Sequence, residues 1–199
     1  RQPARQPARR PSPTIAPVST TLNADLHCHS VVSDGTLTPE ALAQRAQRSG
    51  VQLWALTDHD EISGQHRASA AAHAHGMDYL TGTEISVTFA GTTVHIVGLG
   101  FDADNAALTA GLAATRGGRD SRAQAMAQDL TRVGIHGAYE GALQYVSNPA
   151  LISRTHFARF LVETKVCKDT SEVFRKYLVE GKPGFVPHRW AALGDAVRW

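Results

Sequence analysis

Asp25-Leu26-His27-Cys28-His29-Ser30, followed by Asp34-Gly35 and later by Thr57-Asp58-His59-Asp60, sets the reading of this sequence. Residues on a strand alternate between its faces, so His27 and His29 point one way and Leu26 and Cys28 the other. Two imidazoles on one face are half of a metal site. Directing both at one cation removes the cost of burying them unpaired and supplies a Lewis acid. A polar strand face that happens to carry two histidines explains the His-x-His spacing equally well. The second cluster separates the two readings. Val51–Thr57 is short, apolar and partly β-branched or aromatic, reads as a strand, and delivers Asp58-His59-Asp60 at its carboxyl end.

The flanking sequence places these clusters in an α/β chain. Ala24–His29 reads as a strand; Thr38 caps a helix with Pro39 at its first position, and Gly50 closes it. A helix over Ile62–His75, stopped by Gly76, leads to a strand at Tyr79–Ser86, and Val87–Ala90 and Thr92–Gly98 flank Gly91 as a hairpin. Alternating strands and helices imply a substantially parallel sheet, with sites at the carboxyl ends of its strands. From Asn105 to Glu180 the pattern is helical. Gly117–Val133 has apolar residues at helical spacing, Ser153 caps Arg154–Lys165, and Asp169 and Glu172 have capping-box spacing before Val173–Val179. Residues 105–180 are thus expected to form a helical insertion between residues 22–104 and 181–199. Lys182–Pro187 reads as a return to strand and Ala191–Trp199 as the start of a further helix.

Composition sets looser bounds. With 199 residues, 42% of them hydrophobic, the chain is long enough for one well-buried core. The net charge of +2 includes Arg1, Arg5, Arg9 and Arg10, so the body is slightly acidic and no broad basic face is required. Residues 1–19, rich in Arg, Pro, Ala and Gln, bury too little apolar area to offset their ordering entropy and are expected to be disordered. They lack a secretory apolar segment, and no stretch approaches the length of a membrane span. Cys28 and Cys167 are the only cysteines, which suits a reducing cytoplasm better than a disulfide framework.

The candidate metal ligands accumulate along the chain. Asp34 lies in a Ser-Asp-Gly turn, Glu84 follows Gly82-Thr83 in the third strand, and His95 sits between Val94 and Ile96. Singly, Asp34 could be a turn residue, Glu84 a surface residue and His95 a satisfied core histidine. Jointly, four His and two carboxylates at or beside strand ends suit several divalent ions such as Mn²⁺, Zn²⁺ or Fe²⁺, with Glu84 placed to bridge two of them.

The segments DLHCHSVVSDGTLTPEAL, ALTDHDEISG, GTEIS and HIVGLGF resemble successive motifs of the polymerase and histidinol phosphatase (PHP) family. ISRTHFARFLVE, VFRKYL and GKPGFVPH resemble the branch of nucleotide 3′,5′-bisphosphate phosphatases related to a 5′–3′ exoribonuclease that trims ribosomal RNA 5′ ends. The resemblance implies a distorted (β/α)₇ barrel, here its N-terminal part only, and metal ligands His27, His29, Asp34, His59, Glu84 and His95. It also implies that further ligands, in an Ala-His-Pro and an Asp-x-His motif, lie beyond Trp199. Residues 1–199 alone are therefore expected to be impaired in catalysis.

The reaction implied is metal-assisted hydrolysis of a phosphate ester, on a small nucleotide or short RNA, with no membrane and no obligate protein partner. Two or three ions, Mn²⁺ foremost, are expected in the complete protein. Asp58 and Asp60 would orient ligand imidazoles or fix their loops. Arg154 and His156, at a helix start that favours anions, are the expected phosphate contacts, with Lys182 and Arg119 as weaker ones. His66, His73, His75 and His136 have no ligand spacing, and His188 beside Arg189 could face the site, although a role outside it is the stronger reading. Competing readings are another PHP activity, histidinol-phosphate hydrolysis or polymerase-associated exonuclease, and a noncatalytic metal-stabilised binding module.

Overall fold

Leu53–Leu56 (β2) is the strand on which its neighbours register. A computed structural model describes residues 21–199, and the tail expected to be disordered over residues 1–19 lies outside the described residues. Strand β1, Ala24–Asp25, pairs parallel with β2 from Ala24 opposite Leu53. Strand β3, Asp78–Phe89, pairs parallel on its other side from Asp78 opposite Leu53 to Thr81 opposite Leu56. Trp54, Ala55 and Leu56 are all buried, the continuous apolar run expected of a parallel strand covered on both faces. Helices α1 (Pro39–Arg48) and α2 (Gln65–Ala74) supply Ala43, Ala46, Ala68 and Ala72 to the core around Trp54 and Leu56. The Thr38 hydroxyl accepts from Ala41 N at 3.2 Å and caps α1 as its sequence predicts.

Three elements differ from expectation. The first strand ends at Asp25, not His29, because Thr57 takes over the role of the ladder: its N–H donates to Cys28 O at 2.9 Å and its hydroxyl accepts from Cys28 N at 3.1 Å. Strand β3 does not break after Ser86. It runs unbroken into a two-residue turn, Ala90-Gly91, with φ of 49° and 79°, and returns as antiparallel β4, Thr92–Leu99. Positive φ at both turn positions matches the twist of a tight hairpin. Lys182–Pro187 is not a strand: a turn over Lys182–Gly184, with Gly184 N donating to Tyr177 O and Phe185 N to Lys182 O, runs into irregular chain, and Pro183 and Pro187 have no N–H to give a ladder. The strand comes later, as β5 (Ala191–Ala192) parallel to β3 at Val87 and Thr88.

Helices α3 (Ala106–Arg116), α4 (Arg119–Arg132), α5 (Ala138–Leu143), α6 (Arg154–Glu163) and α7 (Thr170–Val173) follow β4. The helix expected over Val173–Val179 is instead a single wide turn, Phe174–Leu178. Met126, Leu130, Phe157, Leu161, Val173 and Leu178 form a hydrophobic core of their own. Gly141 lets α5 meet α6, since a Cβ there would stand 2.2 Å from the Phe160 ring. The short helix α8, Leu193–Ala196, contributes Ala196 to a third cluster with Ile85, Val87, Leu108 and Leu112.

Phe157 is fully buried at the centre of the helical core. Phe157→Ala is expected to lower unfolding free energy by about 3–5 kcal/mol, checked by urea denaturation, since deleting a buried aromatic ring leaves a cavity. A loss below about 1 kcal/mol would show that this core is not closely packed.

Candidate metal centre and anion cleft

Glu84, buried on β3, is the point on which four histidines converge. Its Oε2 lies 2.7 Å from His27 Nε2 and 3.0 Å from His29 Nε2, and its Oε1 lies 3.2 Å from His95 Nδ1 and 3.9 Å from His59 Nδ1. The His27 and His29 Nε2 atoms are 3.2 Å apart, and the His29 and His59 rings stack at 4.6 Å between centroids. Asp34 Oδ1 stands 3.9 Å from His29 Nδ1. The six side chains form three overlapping donor groups, His27–His29–Glu84, His29–Asp34–His59 and His59–Glu84–His95, each with its donor atoms within 4.8 Å.

These residues fit a divalent metal. His29 Nδ1 and His59 Nδ1 are buried with no hydrogen-bond partner, a costly state for an imidazole and the one a cation would relieve. Nitrogen and carboxylate donors in groups of three are the sets that divalent ions take. Charge follows the same lines. Burial pushes the Glu84 carboxyl up, but hydrogen bonds from His29 and His27 and positive charge on His59 outweigh it and hold it at about 2. Burial likewise pushes Asp34 up, and charge on His59 and His29 outweighs it, leaving Asp34 below its usual range.

The ligand segments are held by buried polar groups. Asp58 accepts from Ser30 N at 2.7 Å, Ser30 Oγ at 2.7 Å and Ser33 Oγ at 2.6 Å, fixing the chain between His29 and Asp34. Asp60, at φ 50°, accepts from Ser86 N at 2.7 Å and Ser86 Oγ at 2.8 Å and pairs with Arg119. Among the described residues neither carboxylate bonds an imidazole; both fix loops. Glu84 N donates to Asp58 O at 3.2 Å and Asp60 N to Glu84 O at 2.9 Å, so His59 is bracketed against Glu84. The Asp34 turn is wedged: a Cβ on Gly35 would fall 2.0 Å from His29 O, and Arg159 of α6 donates to the carbonyls of Asp34 and Gly35.

Asp34, His59, Glu84 and His95 open onto a cleft of about 600 Å³ whose opposite walls carry Arg154 and Thr155 of α6, Arg119 and Arg122 of α4, and His188 and Trp190. The sequence-predicted phosphate contacts divide here. Arg154 lines the cleft, while His156 is fully buried beneath it, its Nδ1 accepting from Ser153 N at 3.0 Å in a capping box. Lys182 is exposed and is not among the residues lining the cleft. His188, for which the sequence leaves a place in the site as the weaker reading, does line it, as does Arg119, a weaker expected contact. Arg122 was not foreseen. Its signal was the three-residue spacing from Arg119, which sets both on one helix face just after Gly117-Gly118. His66, His73, His75 and His136 are exposed.

The PHP domain matches residues 25–178. The chain belongs to the PHP family. It is 51% identical over 177 residues to a 3′,5′-nucleoside bisphosphate phosphatase of Chromobacterium violaceum, covering 89% of this chain and 62% of that protein. It is 40% identical over 177 residues to a 5′-3′ exoribonuclease of Haemophilus influenzae, covering 89% of this chain and 64% of that one. Among solved structures, an amidohydrolase from Chromobacterium violaceum with bound sulfate and no metal superposes with a TM-score of 0.87 at 51% identity, covering 89% of this chain and 62% of that chain. The chain therefore has a PHP-type α/β fold and spans less than two thirds of the length of these relatives.

Two measurements follow. Arg159→Ala should free the Asp34 turn and weaken Mn²⁺ binding about tenfold in a calorimetric titration, the cost typical of losing a group that orients a ligand. An unchanged titration would leave Arg159 a role in packing alone. His156 gives a pH dependence. Burial, opposed by Asp34 charge, pushes its imidazole down to about 4 from an ordinary 6.5, so the unfolded chain binds the extra proton between these values. Its stabilising effect is complete above pH 6.5 and is lost as pH falls towards 4, a change of about 3 kcal/mol. His156→Gln, which keeps the capping acceptor, should flatten that segment of the stability profile measured by denaturation in chelator.

Proposed function

We propose that the complete protein is a divalent-metal phosphoesterase that releases phosphate from nucleoside 3′,5′-bisphosphates. The observation that carries this reading is that Asp34, His59, Glu84 and His95 of the His/carboxylate constellation face one cleft with three arginines. The phosphatase name of the relative at 51% identity supports the substrate class. The exoribonuclease relative at 40% identity favours a second activity on short RNA or RNA 5′ ends.

His27, His29, Asp34, His59, Glu84 and His95 would hold the ions, and because His27 and His29 meet one Glu84 oxygen and His59 and His95 the other, Glu84 suits a bridge between two of them. Bound divalent ions would lower the pKa of water and neutralise phosphate oxygens. Cys28 contributes no thiolate: burial pushes its thiol up to about 12, and its Sγ contacts Ala55 O at 3.4 Å. A mixed donor set of imidazole and carboxylate suits Mn²⁺, Zn²⁺ or Fe²⁺, and Mn²⁺ is the ion proposed here. Arg154, at the first position of α6, gives a guanidinium fork to the reacting phosphate. Hydrolysis then breaks one P–O ester bond, forms one P–O bond to water, and leaves the departing hydroxyl with a proton.

Residues 22–104 and 181–199 form the metal-binding barrel segment in this reading, and residues 105–180 recognise the substrate. No helix among the described residues is long and apolar enough to cross a membrane. Both cysteines are free, which supports a cytoplasmic setting.

The test is full-length protein with added Mn²⁺, screened for phosphate release from nucleoside bisphosphates, histidinol phosphate and 5′-phosphorylated short RNA, alongside metal analysis. Turnover of histidinol phosphate alone would replace this reading with another PHP activity, and metal uptake without any release would leave a binding module. Arg154→Ala should raise KM and lower kcat with metal content unchanged, a combined loss of about 10- to 100-fold in kcat/KM for a charge-assisted contact. His59→Ala should instead lose metal.

A further inference from the structure

The wide turn Phe174–Leu178 stands where the sequence predicts a regular helix, and both of its ends touch Arg154. Leu178, its last residue, accepts at its carbonyl from Arg154 Nη1 at 3.2 Å. Phe174, its first, lies beneath the guanidinium, whose carbon stands 5.6 Å from the centre of the ring. The two residues are four apart and so lie on one side of a helical turn. Turns with i to i+5 hydrogen bonding are rare and recur at functional sites.

Each contact is held from behind. Val173 and Leu178 are fully buried in the core of the insertion, and Phe174, half-buried, packs against that core while also lining the cleft. Tyr177 O accepts from Gly184 N at 2.8 Å, which ties the turn to the chain that follows it. Gly184 in turn sits close against α4, since a Cβ there would fall 2.9 Å from the Leu130 side chain and 3.1 Å from that of Leu178. Arg154 is itself half-buried, and burial pushes its guanidinium down from the ordinary value. Among the described residues no carboxylate pairs with it. An arginine side chain carries much rotamer entropy, and an unanchored one at a cleft wall would sample several rotamers. One hydrogen bond and one ring face remove that freedom before any anion arrives, and leave the remaining guanidinium N–H groups for it.

We propose that Phe174 is a positioning residue for Arg154: with the Leu178 carbonyl, its ring holds the guanidinium in the orientation that meets a phosphate in the cleft. This rests on the phosphoesterase reading for the identity of the anion. An aromatic quadrupole attracts a cation through the ring face, so position 174 requires a ring and not merely apolar volume. Leucine fills the space without a π face, whereas tyrosine keeps it. Removing a ring face from beneath a guanidinium is expected to cost about fivefold.

A double-mutant cycle on full-length protein with Mn²⁺ and adenosine 3′,5′-bisphosphate provides the test. Phe174→Leu should lower kcat/KM about fivefold, and Phe174→Tyr should recover most of that loss. In an Arg154→Gln background Phe174→Leu should change kcat/KM by less than about twofold, because the group on which the ring acts is gone. Losses of about fivefold in both backgrounds, or equal losses in the leucine and tyrosine variants, would overturn the proposal and leave Phe174 a packing residue. Phe174→Met, which is unbranched and fits an irregular space, takes the place of Phe174→Leu in the cycle where urea denaturation shows the leucine variant unfolded. If the unaltered protein releases no phosphate from this nucleotide, the phosphoesterase reading fails by itself. Calorimetry with inorganic phosphate on chelator-treated full-length protein then runs the same cycle on affinity. A weakening of about fivefold in Phe174→Leu that disappears in the Arg154→Gln background upholds the positioning role, and any other outcome, absence of binding included, removes it.

Discussion

A single buried carboxylate with two imidazoles at each oxygen is the constraint around which the rest is arranged. Glu84 lies where β3 changes partners, since Thr81 still pairs with β2 and Gly82 is already on β4. At that point β2 has ended and its continuation, His59, bridges directly to Glu84. On the other edge Ser86 faces His95 across the ladder, and residues two apart share a face, so His95 comes up beside Glu84. A shift of one residue in the β3–β4 register would turn His95 to the opposite side. The tight Ala90-Gly91 turn that sets this register is therefore part of the candidate metal centre.

Holding several cationic or metal-binding groups together requires rigid support, and the chain supplies it with buried acids that never reach an imidazole. Asp58 is 1% exposed and accepts three hydrogen bonds from the segment between His29 and Asp34. Burial still wins and raises its pKa, which shows how dry the floor of the site is. Asp60 links three elements, receiving Ser86 of β3 and Arg119 of α4 from a loop that also carries His59. Removing either acid would leave buried donors unsatisfied, a cost of the order of 1–3 kcal/mol for each.

The candidate metal cluster was legible in part: Glu84 and His95 lie within β3 and β4, where period-2 alternation fixes direction, Asp34 lies in a glycine turn, and His27 and His29 follow the end of β1 yet keep the two-residue spacing that aims both at Glu84. The second wall of the cleft was not. Arg154 and His156 flank one residue, and at two residues' separation on a helix side chains point to nearly opposite sides. One faces the cleft and the other is buried as a cap; adjacency in sequence concealed this. Lys182 reads as a strand residue only if Pro183 and Pro187 are ignored. His188 and Trp190 acquire their place from the tertiary contact with Gly118 and Thr93, which no local pattern announces.

Helix α6 ties the two halves of the site together. Its first residue, Arg154, lines the cleft, and five residues on Arg159 grips the backbone that presents Asp34. Between them Phe157 anchors the helix in the core formed by the insertion. A rigid helix of ten residues cannot move one end without the other, so the positions of the Arg154 guanidinium in the cleft and of the Asp34 carboxylate in the candidate metal centre are not independent. An element that favours one placement of Arg154 also favours one placement of Asp34, and by linkage anything that stabilises the first stabilises the second. Helix α6 is thus a structural member of the candidate metal centre as well as a wall of the cleft.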